Sequence, residues 1–587
     1  MQYDTVNRTA NDRQLYLFPQ TSSKGHVMQS QFDRRLFLST TAGATLAGML
    51  PDLPAWAQQP PTDSSSSCIA LSENALRELK QKFGVKKLLQ PKVADFNEIA
   101  MPKNSRYRNN RPGAIALCEN TADVQAAINI CRENKVSFVA RSGGHSYAGF
   151  STTCGLLIDV SRINHTRFDR DKKLLTIGGG TTNKELMAVL EKHNRVLTHG
   201  RCSSVGAAAF FLGGGIGFNM RQLGVGCDQM VETEIVTADG RARRVSETTD
   251  PDHLFWACRG GGGGNFGINT EFVLQTYPVP IVSGFILEWQ NVAEGTVLQL
   301  MADLDNKEPD KLGLRVALRG KSDGIVDIEV RGQLIQVNKT NSIEEELKII
   351  FGPKYNEATN KWFFPSEKFS YFQCQEALSM SVPLFQQKPL TTGPNAGNSS
   401  KRQSYEADPS YLPYEILDLN DLNLNDSERI CYQERSGYFP AGIPPEQLKI
   451  PPNKLQAAYQ KLKMAPRISG PNGIVFFQTG GRINTLQAKD TAFVHRNNNW
   501  LMTIVIHWKV GEEKIVDGEN IVETALKWQN SLYEIMESST TGAYQNFPDP
   551  SLSGYMKAYY GVNQDMLKKV KKKFDPNGLF NFPQAIK

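Results

Sequence analysis

Two kinds of hydrophobic pattern divide the chain. Up to about residue 280, short apolar runs rich in β-branched residues, at 136–140, 155–160 and 174–177, alternate with segments of helical period at 121–133 and 183–193. Strands that alternate with helices predict an α/β arrangement. From about 281 to 539 the runs lengthen into amphipathic strands, at 313–318, 325–336, 474–478 and 501–508, with helices between them. That pattern predicts a mostly antiparallel sheet backed by helices. Residues 386–428 are rich in Pro, Asn, Ser and Gly with little period, and read as an ordered excursion or a lid over a site. Residues 540–587 read as a Tyr/Pro-rich loop, a short helix and a second loop. The fold class expected for the whole is α+β, with boundaries at 1–57, 58–71, 72–280, 281–539 and 540–587.

Composition narrows the function classes. A chain of 587 residues, 40% hydrophobic and 21% charged, has enough apolar surface for more than one folded unit. The net charge of +6 is spread without a dense Lys/Arg run, so nucleic acid is not an expected partner. The nearest basic block, Lys568, Lys569, Lys571, Lys572 and Lys573, has helical spacing and reads as one solvated face.

The amino terminus reads as an address. No apolar run reaches the ~20 residues of a membrane span. A shorter one follows Arg34 and Arg35 through Leu36, Phe37 and Leu38 to Leu50, and Ala55-Trp56-Ala57 offers small residues for cleavage. This is the pattern of a twin-arginine signal over 1–57, followed by a flexible leader over 58–71 that contains Ser64 to Ser67. The segment before the arginines is long, and Met28 is an alternative start. The expectations are passage through the twin-arginine export machinery, a periplasmic or secreted location and no stable membrane anchor after cleavage. Nine cysteines are an odd number for a compartment where thiols pair, so at least one should be otherwise engaged. No CxxC occurs and the eight histidines lack HExxH or other ligand spacing, so no metal is expected.

Three glycine-rich elements carry the candidate chemistry. The first, ARSGGHSYAGFS, directly follows the run at 136–140. Gly143 and Gly144 let backbone amides face an anion, Arg141, Ser142 and Ser146 can meet a polar ligand, and His145 projects from the loop. The second, HGRCSSVGAAAFFLGGGIGFNMRQLG, places Cys202 on a loop ahead of a small-residue run from Gly206 through Gly214, Gly215 and Gly217. In the third, RGGGGGNFGI, Gly262, Gly264 and Gly267 satisfy GxGxxG. No strand opens before them and no helical pattern follows, so a Rossmann reading is rejected. Singly, each element has a plain structural explanation: turns, a satisfied histidine, a small core cysteine.

Their order and spacing change that. RSGGHSYAG, then GRCSSVG, WxxRGGGGGNFGI, GGRINTLQAKDTAFVHRNNNW, YYGVN and DPNGLFNFPQ together resemble the berberine bridge enzyme-like flavoproteins, FAD-linked oxidases of the vanillyl-alcohol-oxidase superfamily. The resemblance covers residues 100–278 and 480–587, and 281–470 only loosely. It implies a PCMH-type FAD-binding domain of two α/β subdomains, a substrate domain with an antiparallel sheet backed by helices, and a C-terminal segment that returns to the FAD domain. It also implies FAD attached twice, through His145 to the flavin 8α-methyl and through Cys202 to C6, the other reading being non-covalent FAD beside both side chains. Two tethers would fix the ring and raise its reduction potential. The diphosphate would lie against the amides of Arg141 to Gly144 and the run from Gly206 to Gly217. Ile268 would lie near the flavin or adenine, and Tyr560 and Asn563 would contact the cofactor. Val205 matches a family position near the flavin where a smaller side chain goes with oxygen access.

The segment AYQNFPDPSL resembles the family's YxN(Y/F)xD motif, which makes Tyr544 the candidate base and leaves Asp549 to fix the loop. A tyrosine of pKa ~10 needs a nearby positive group or oriented donor to act at neutral pH. On the run 501–508, Thr503, Val505 and His507 share a face. Berberine-forming relatives carry a carboxylate base on the corresponding strand, and none stands here. This argues against N-methyl alkaloid ring closure and leaves His507 as a second candidate base. The implied reaction is oxidation of a hydroxyl-bearing small molecule, such as a sugar, oligosaccharide, polyphenol or secondary metabolite, by hydride transfer to FAD, with O2 returning H2O2. A dehydrogenase with another acceptor, or a flavin-retaining binding protein, would share the same residues. Trp362, Phe363, Phe364, Tyr371 and Phe372 read as either a stacking wall or a strand-face core.

Overall fold

The computed structural model describes residues 69–93, 95–306, 311–335, 342–379, 429–441, 449–470, 472–513, 515 and 520–587. The expected signal, most of the leader and the excursion at 386–428 lie outside the described residues.

The first half holds two larger sheets and a two-stranded ribbon, Arg195–Val196 with Tyr277–Pro278. Ala114–Leu117, Leu156–Asp159 and Phe138–Arg141 pair in parallel, with Leu88–Leu89 antiparallel at one edge. The helix Thr121–Glu133 starts where the Asn120 side chain accepts the Asp123 N–H, and it buries Val124, Ala127, Ile128 and Cys131. These pack with Leu156 and Ile158, which makes this the α/β layer that the alternating pattern predicts. The second sheet departs from that pattern. Thr166–Asp169, Leu174–Gly178, Ile268–Gln275, Met230–Val236 and Ala242–Ser246 pair antiparallel: short turns join the two outer hairpins, and Ile268–Gln275 comes back from later in the chain to lie between them. The helix Asn183–Lys192, opened by a Thr182/Glu185 capping box, follows the strand Leu174–Gly178.

The second half forms a seven-stranded antiparallel sheet in the order Asn360–Phe364, Val282–Trp289, Val326–Ile335, Leu312–Gly320, Asn472–Gln478, Asn498–Lys509, Ile430–Pro440. Alternation sorts its two faces. Leu314, Val316, Ile328, Val330, Phe476 and Ile504 pack in one core with side chains of the helices Glu294–Asn306, Ile343–Phe351, Pro452–Leu462 and Ile521–Glu537. At ~1.5–3 kcal/mol for each large aliphatic side chain removed from water, this layer contributes much of the stability of that half. The opposite face presents Arg315, Ala317, Val475, Phe477, Thr503 and Val505. Phe364 and Tyr371 are buried with Val282, Ile286 and Leu378, so the aromatic group at 362–372 is core rather than a stacking wall.

One expectation about charge is corrected. On the helix Gln564–Phe574, Lys571 is only 6% exposed. Its ammonium donates to the carbonyls of Asn265 at 2.8 Å and Phe580 at 2.7 Å and pairs with Asp575 at 2.7 Å. It shares the inward face with Leu567 and Val570, so its stem lies on apolar surface while its head satisfies buried carbonyls.

Candidate active site

A cavity of about 340 Å³ lies between the glycine loops and the polar face of the seven-stranded sheet, with Phe580, Phe582 and Gln584 also on its wall. Two loops form its floor. A Cβ on Gly143 would stand 2.4 Å from the Gly206 amide nitrogen and 2.6 Å from the Ser204 carbonyl oxygen, so only glycine lets the loops approach backbone to backbone. That approach joins residues far apart in sequence. His145 Nε2 lies 2.8 Å from Ser204 Oγ, and the same hydroxyl lies 3.8 Å from Cys202 Sγ. Asn183 Nδ2 donates to the Cys202 carbonyl at 2.9 Å and fixes that loop. The imidazole and the thiol, both on the cavity wall, thus flank one hydroxyl.

Most of the anticipated cofactor residues line this cavity: Arg141, Ser142, Gly143, Gly144, His145, Ser146, Cys202, Val205, Gly206, Ile268 and Tyr560. Several of their side chains already have partners within the protein, Arg141 and Ser142 among them. The Arg141 guanidinium pairs with Asp159 at 3.2 Å and donates to the Ile99 carbonyl, and the Ser142 hydroxyl donates to the Gly179 carbonyl at 2.9 Å. Burial draws Arg141 below its ordinary pKa against the pull of Asp159. The amides of this loop and the remaining Arg141 Nη1 are left to meet an anion. The Tyr560 hydroxyl donates to the Gly261 carbonyl at 3.1 Å, so the ring is both core aromatic and cavity wall.

Five anticipated residues stand elsewhere. A Cβ on Gly214 would meet the Phe493 ring at 2.8 Å, one on Gly215 the Phe210 ring at 2.5 Å, and one on Gly217 the His199 carbonyl oxygen at 2.3 Å. These glycines admit neighbouring protein, with Gly214 and Gly215 also at positive φ, and none is on the cavity wall. The Asn563 amide donates to the Ala488 and Thr491 carbonyls at 2.6 and 3.1 Å, which makes it a tie between loops. His507, two places beyond Val505, lies past the edge of the cavity, its Nε2 4.0 Å from Glu434 Oε1.

The candidate base Tyr544 is on the wall, 1% exposed, and its hydroxyl accepts the Gly215 N–H at 2.9 Å with the Asn546 amide at 3.2 Å. Burial pushes the phenol above its ordinary range, while those two donors pull the other way. Asp549 accepts from Arg435 Nε at 2.7 Å and from the Ser551 N–H at 2.8 Å, in keeping with its role as the fastener of this loop.

The sequence reading missed Glu434. It is 7% exposed, lines the cavity from the strand Ile430–Pro440 and accepts the Thr503 hydroxyl at 2.9 Å from the adjacent strand. The alternation of Tyr432, Glu434, Ser436 and Tyr438 was the available signal, obscured by the aperiodic stretch just before it. Farther across the sheet, Arg315, Arg319 and Arg331 surround Glu329 at 2.8, 3.1 and 2.6 Å. Burial alone would raise its pKa, but the three guanidiniums hold its carboxyl well below the usual range.

The wall suits a long ligand that is apolar at one end and polar along its length. Phe138, Val160, Ile268 and Phe580 form the apolar end. Arg141 Nη1, Asn183 Oδ1 and Gln545 Oε1 are buried on wall residues without a hydrogen-bond partner, at a cost of ~1–3 kcal/mol each unless a ligand's polar groups meet them. An adenine dinucleotide fits that distribution. Together the fold and the cavity define an FAD-linked oxidoreductase.

Comparison with known proteins agrees. Residues 112–246 match the FAD binding domain family model, and 543–587 match the berberine and berberine like model. An uncharacterised FAD-linked oxidoreductase of Bacillus subtilis, YgaK, is 28% identical over 84% of this chain and 94% of its own length. A carbohydrate oxidase of Microdochium nivale is 26% identical over 85% and 92%. The solved structure of Physcomitrella patens BBE-like 1 superposes with a TM-score of 0.69 at 22% identity, covering 87% of this chain and 99% of that one. These matches support a berberine bridge enzyme-like FAD-linked oxidoreductase.

Proposed function

We propose that the protein is an exported oxidase of a hydroxyl-bearing small molecule, a sugar, oligosaccharide or secondary metabolite, with FAD bound covalently through both His145 and Cys202. The observation that supports this most is that His145 and Cys202, both on the cavity wall, meet at the Ser204 hydroxyl. The relative named a carbohydrate oxidase supports the substrate class. Residues 72–280 and 540–587 would hold the cofactor, and 281–539 would supply the substrate wall. When bound, the flavin supplies the hydride acceptor and the route for electrons to O2, which leaves as H2O2.

The chain's own residues would do the rest. Glu434 and Tyr544 both face the cavity, and either can take the substrate hydroxyl proton. Glu434 is the readier acceptor, because Tyr544 must first lose a proton that burial retains. Thr503 holds the carboxylate in place. Val205 lines the wall and leaves more room for dioxygen than a longer side chain would. Twin-arginine export would place the enzyme in the periplasm or outside the cell.

Acid precipitation tests the reading directly. A yellow pellet and colourless supernatant are expected, and flavin released wholly into the supernatant refutes covalent attachment. Bleaching of the visible flavin band by sugars, with H2O2 formed in air, is expected of an oxidase. Slow reoxidation after an oxygen pulse would refute that assignment. Retention of a reporter in the cytoplasm when Arg34 and Arg35 are both replaced by lysine checks the export signal.

A further inference from the structure

We propose that Ser204 is a positioning residue that prepares both protein nucleophiles for flavin attachment, an inference that rests on the doubly attached FAD proposed above. Its hydroxyl is 2.8 Å from His145 Nε2 and 3.8 Å from Cys202 Sγ, within the longer reach of sulfur. A hydroxyl has one hydrogen to donate and lone pairs to accept. It can therefore accept the Nε2 hydrogen of His145 while donating its own hydrogen toward Cys202 Sγ. The first contact selects the imidazole tautomer whose lone pair sits on Nδ1, leaving that nitrogen free of a hydrogen. The second favours the thiolate, the reactive form of cysteine. One side chain thus sets the protonation of two nucleophiles that lie 57 positions apart in the sequence.

The arrangement is held by backbone rather than by chance rotamers. The Gly143 and Gly206 loops touch main chain to main chain, the Asn183 amide pins the Cys202 carbonyl, and the Asn183 N–H donates to the Val205 carbonyl at 2.9 Å. Ser204 lies between these fixed points, which hold its backbone where the hydroxyl reaches both side chains. Each attachment replaces one flavin C–H bond and one N–H or S–H bond by a C–N or C–S bond. The two protons and two electrons released at each step leave on dioxygen as hydrogen peroxide.

The test uses purified full-length protein incubated with FAD in air, with covalent flavin followed by fluorescence in a denaturing gel and by mass spectrometry of the peptides carrying His145 and Cys202. Ser204→Ala should slow formation of both bonds about tenfold, the effect of one charge-assisted hydrogen bond. Ser204→Thr, which keeps the hydroxyl, should restore both and guards against a variant that merely folds poorly. Wild-type attachment at both sites with Ser204→Ala equally fast overturns the inference alone. A wild-type protein that releases all its flavin on denaturation overturns the doubly attached reading and this inference with it. A slowing in Ser204→Ala that Ser204→Thr does not restore also overturns it, since the cause would then be packing.

Discussion

A buried ion pair is among the ties of the loop that carries Tyr544, and Asp549→Asn should show how much of the site depends on it. Arg435 Nε meets Asp549 Oδ2 at 2.7 Å, with the two side chains only 9% and 4% exposed, and the guanidinium carbon lies 3.9 Å from the centre of the Tyr533 ring. The amide of the variant keeps the shape but strips the counter-charge from a buried guanidinium. Losing a charge-assisted bond alone costs ~1.5–3 kcal/mol, and leaving a buried charge uncompensated brings the expectation to ~3–5 kcal/mol. The measure is the urea dependence of tryptophan fluorescence extrapolated to water, compared with wild type at equal slope. The double variant Arg435→Met with Asp549→Asn should cost at least ~1 kcal/mol less than the sum of the singles, because neither partner is then left alone. A loss below ~0.5 kcal/mol in Asp549→Asn, or strict additivity in the pair, would refute this account of the loop.

Other expectations concern the site and its pH response. Glu434→Gln should lower kcat for the oxidation ~10²-fold or more with little change in flavin content, and Tyr544→Phe should lower it less, as steady-state rates under air will check. His145→Ala and Cys202→Ala should each retain covalent flavin through the remaining bond, seen as two distinct shifts of the visible spectrum; loss of all covalent flavin in either single variant contradicts independent tethers. Val205→Leu should slow reoxidation of the reduced protein in a stopped-flow oxygen pulse while leaving anaerobic reduction unchanged. Burial holds His199 down to about 4 and His495 to about 3, against ~6.5 unfolded. The unfolded chain therefore takes up protons that the native state refuses. The stability each contributes is complete above pH 6.5 and falls as pH drops toward 4, by ~1.4 kcal/mol per unit for each group. Thermal melts between pH 7.5 and 4.5 should show the decline, and His199→Gln should flatten it.

Local sequence carried some features further than others. The helix at 121–133 was legible to the residue, because Asn120 caps it and its apolar positions repeat at helical spacing. The long strands of the second half were legible because alternation persists when one face packs against helices and the other lines a cavity. The antiparallel sheet around Ile268–Gln275 was not, since short strands separated by turns look alike whichever way their partners run. At the site, the RSGGH and GRCSSV segments announced themselves by glycine and by order. Gly214, Gly215 and Gly217 misled for the same reason, because a glycine that admits a ligand and one that admits a phenyl ring read identically until the neighbour is seen. Glu434 escaped because a single acid on a strand acquires meaning only from Thr503 on the strand beside it. Lys571 escaped because helical spacing alone does not say which face a lysine occupies.

The knot around Lys571 bears on when the cofactor pocket can exist. The residues that complete the wall at Phe580, Phe582 and Gln584, and the Ile586 amide that donates to Asn265 at 2.9 Å, reach back across some three hundred positions to the third glycine loop. While a nascent chain is still on the ribosome short of this point, that side of the cavity is open to water. Closure of the pocket therefore waits until residues 580–586 have been made and folded back, which sets it among the late events of folding.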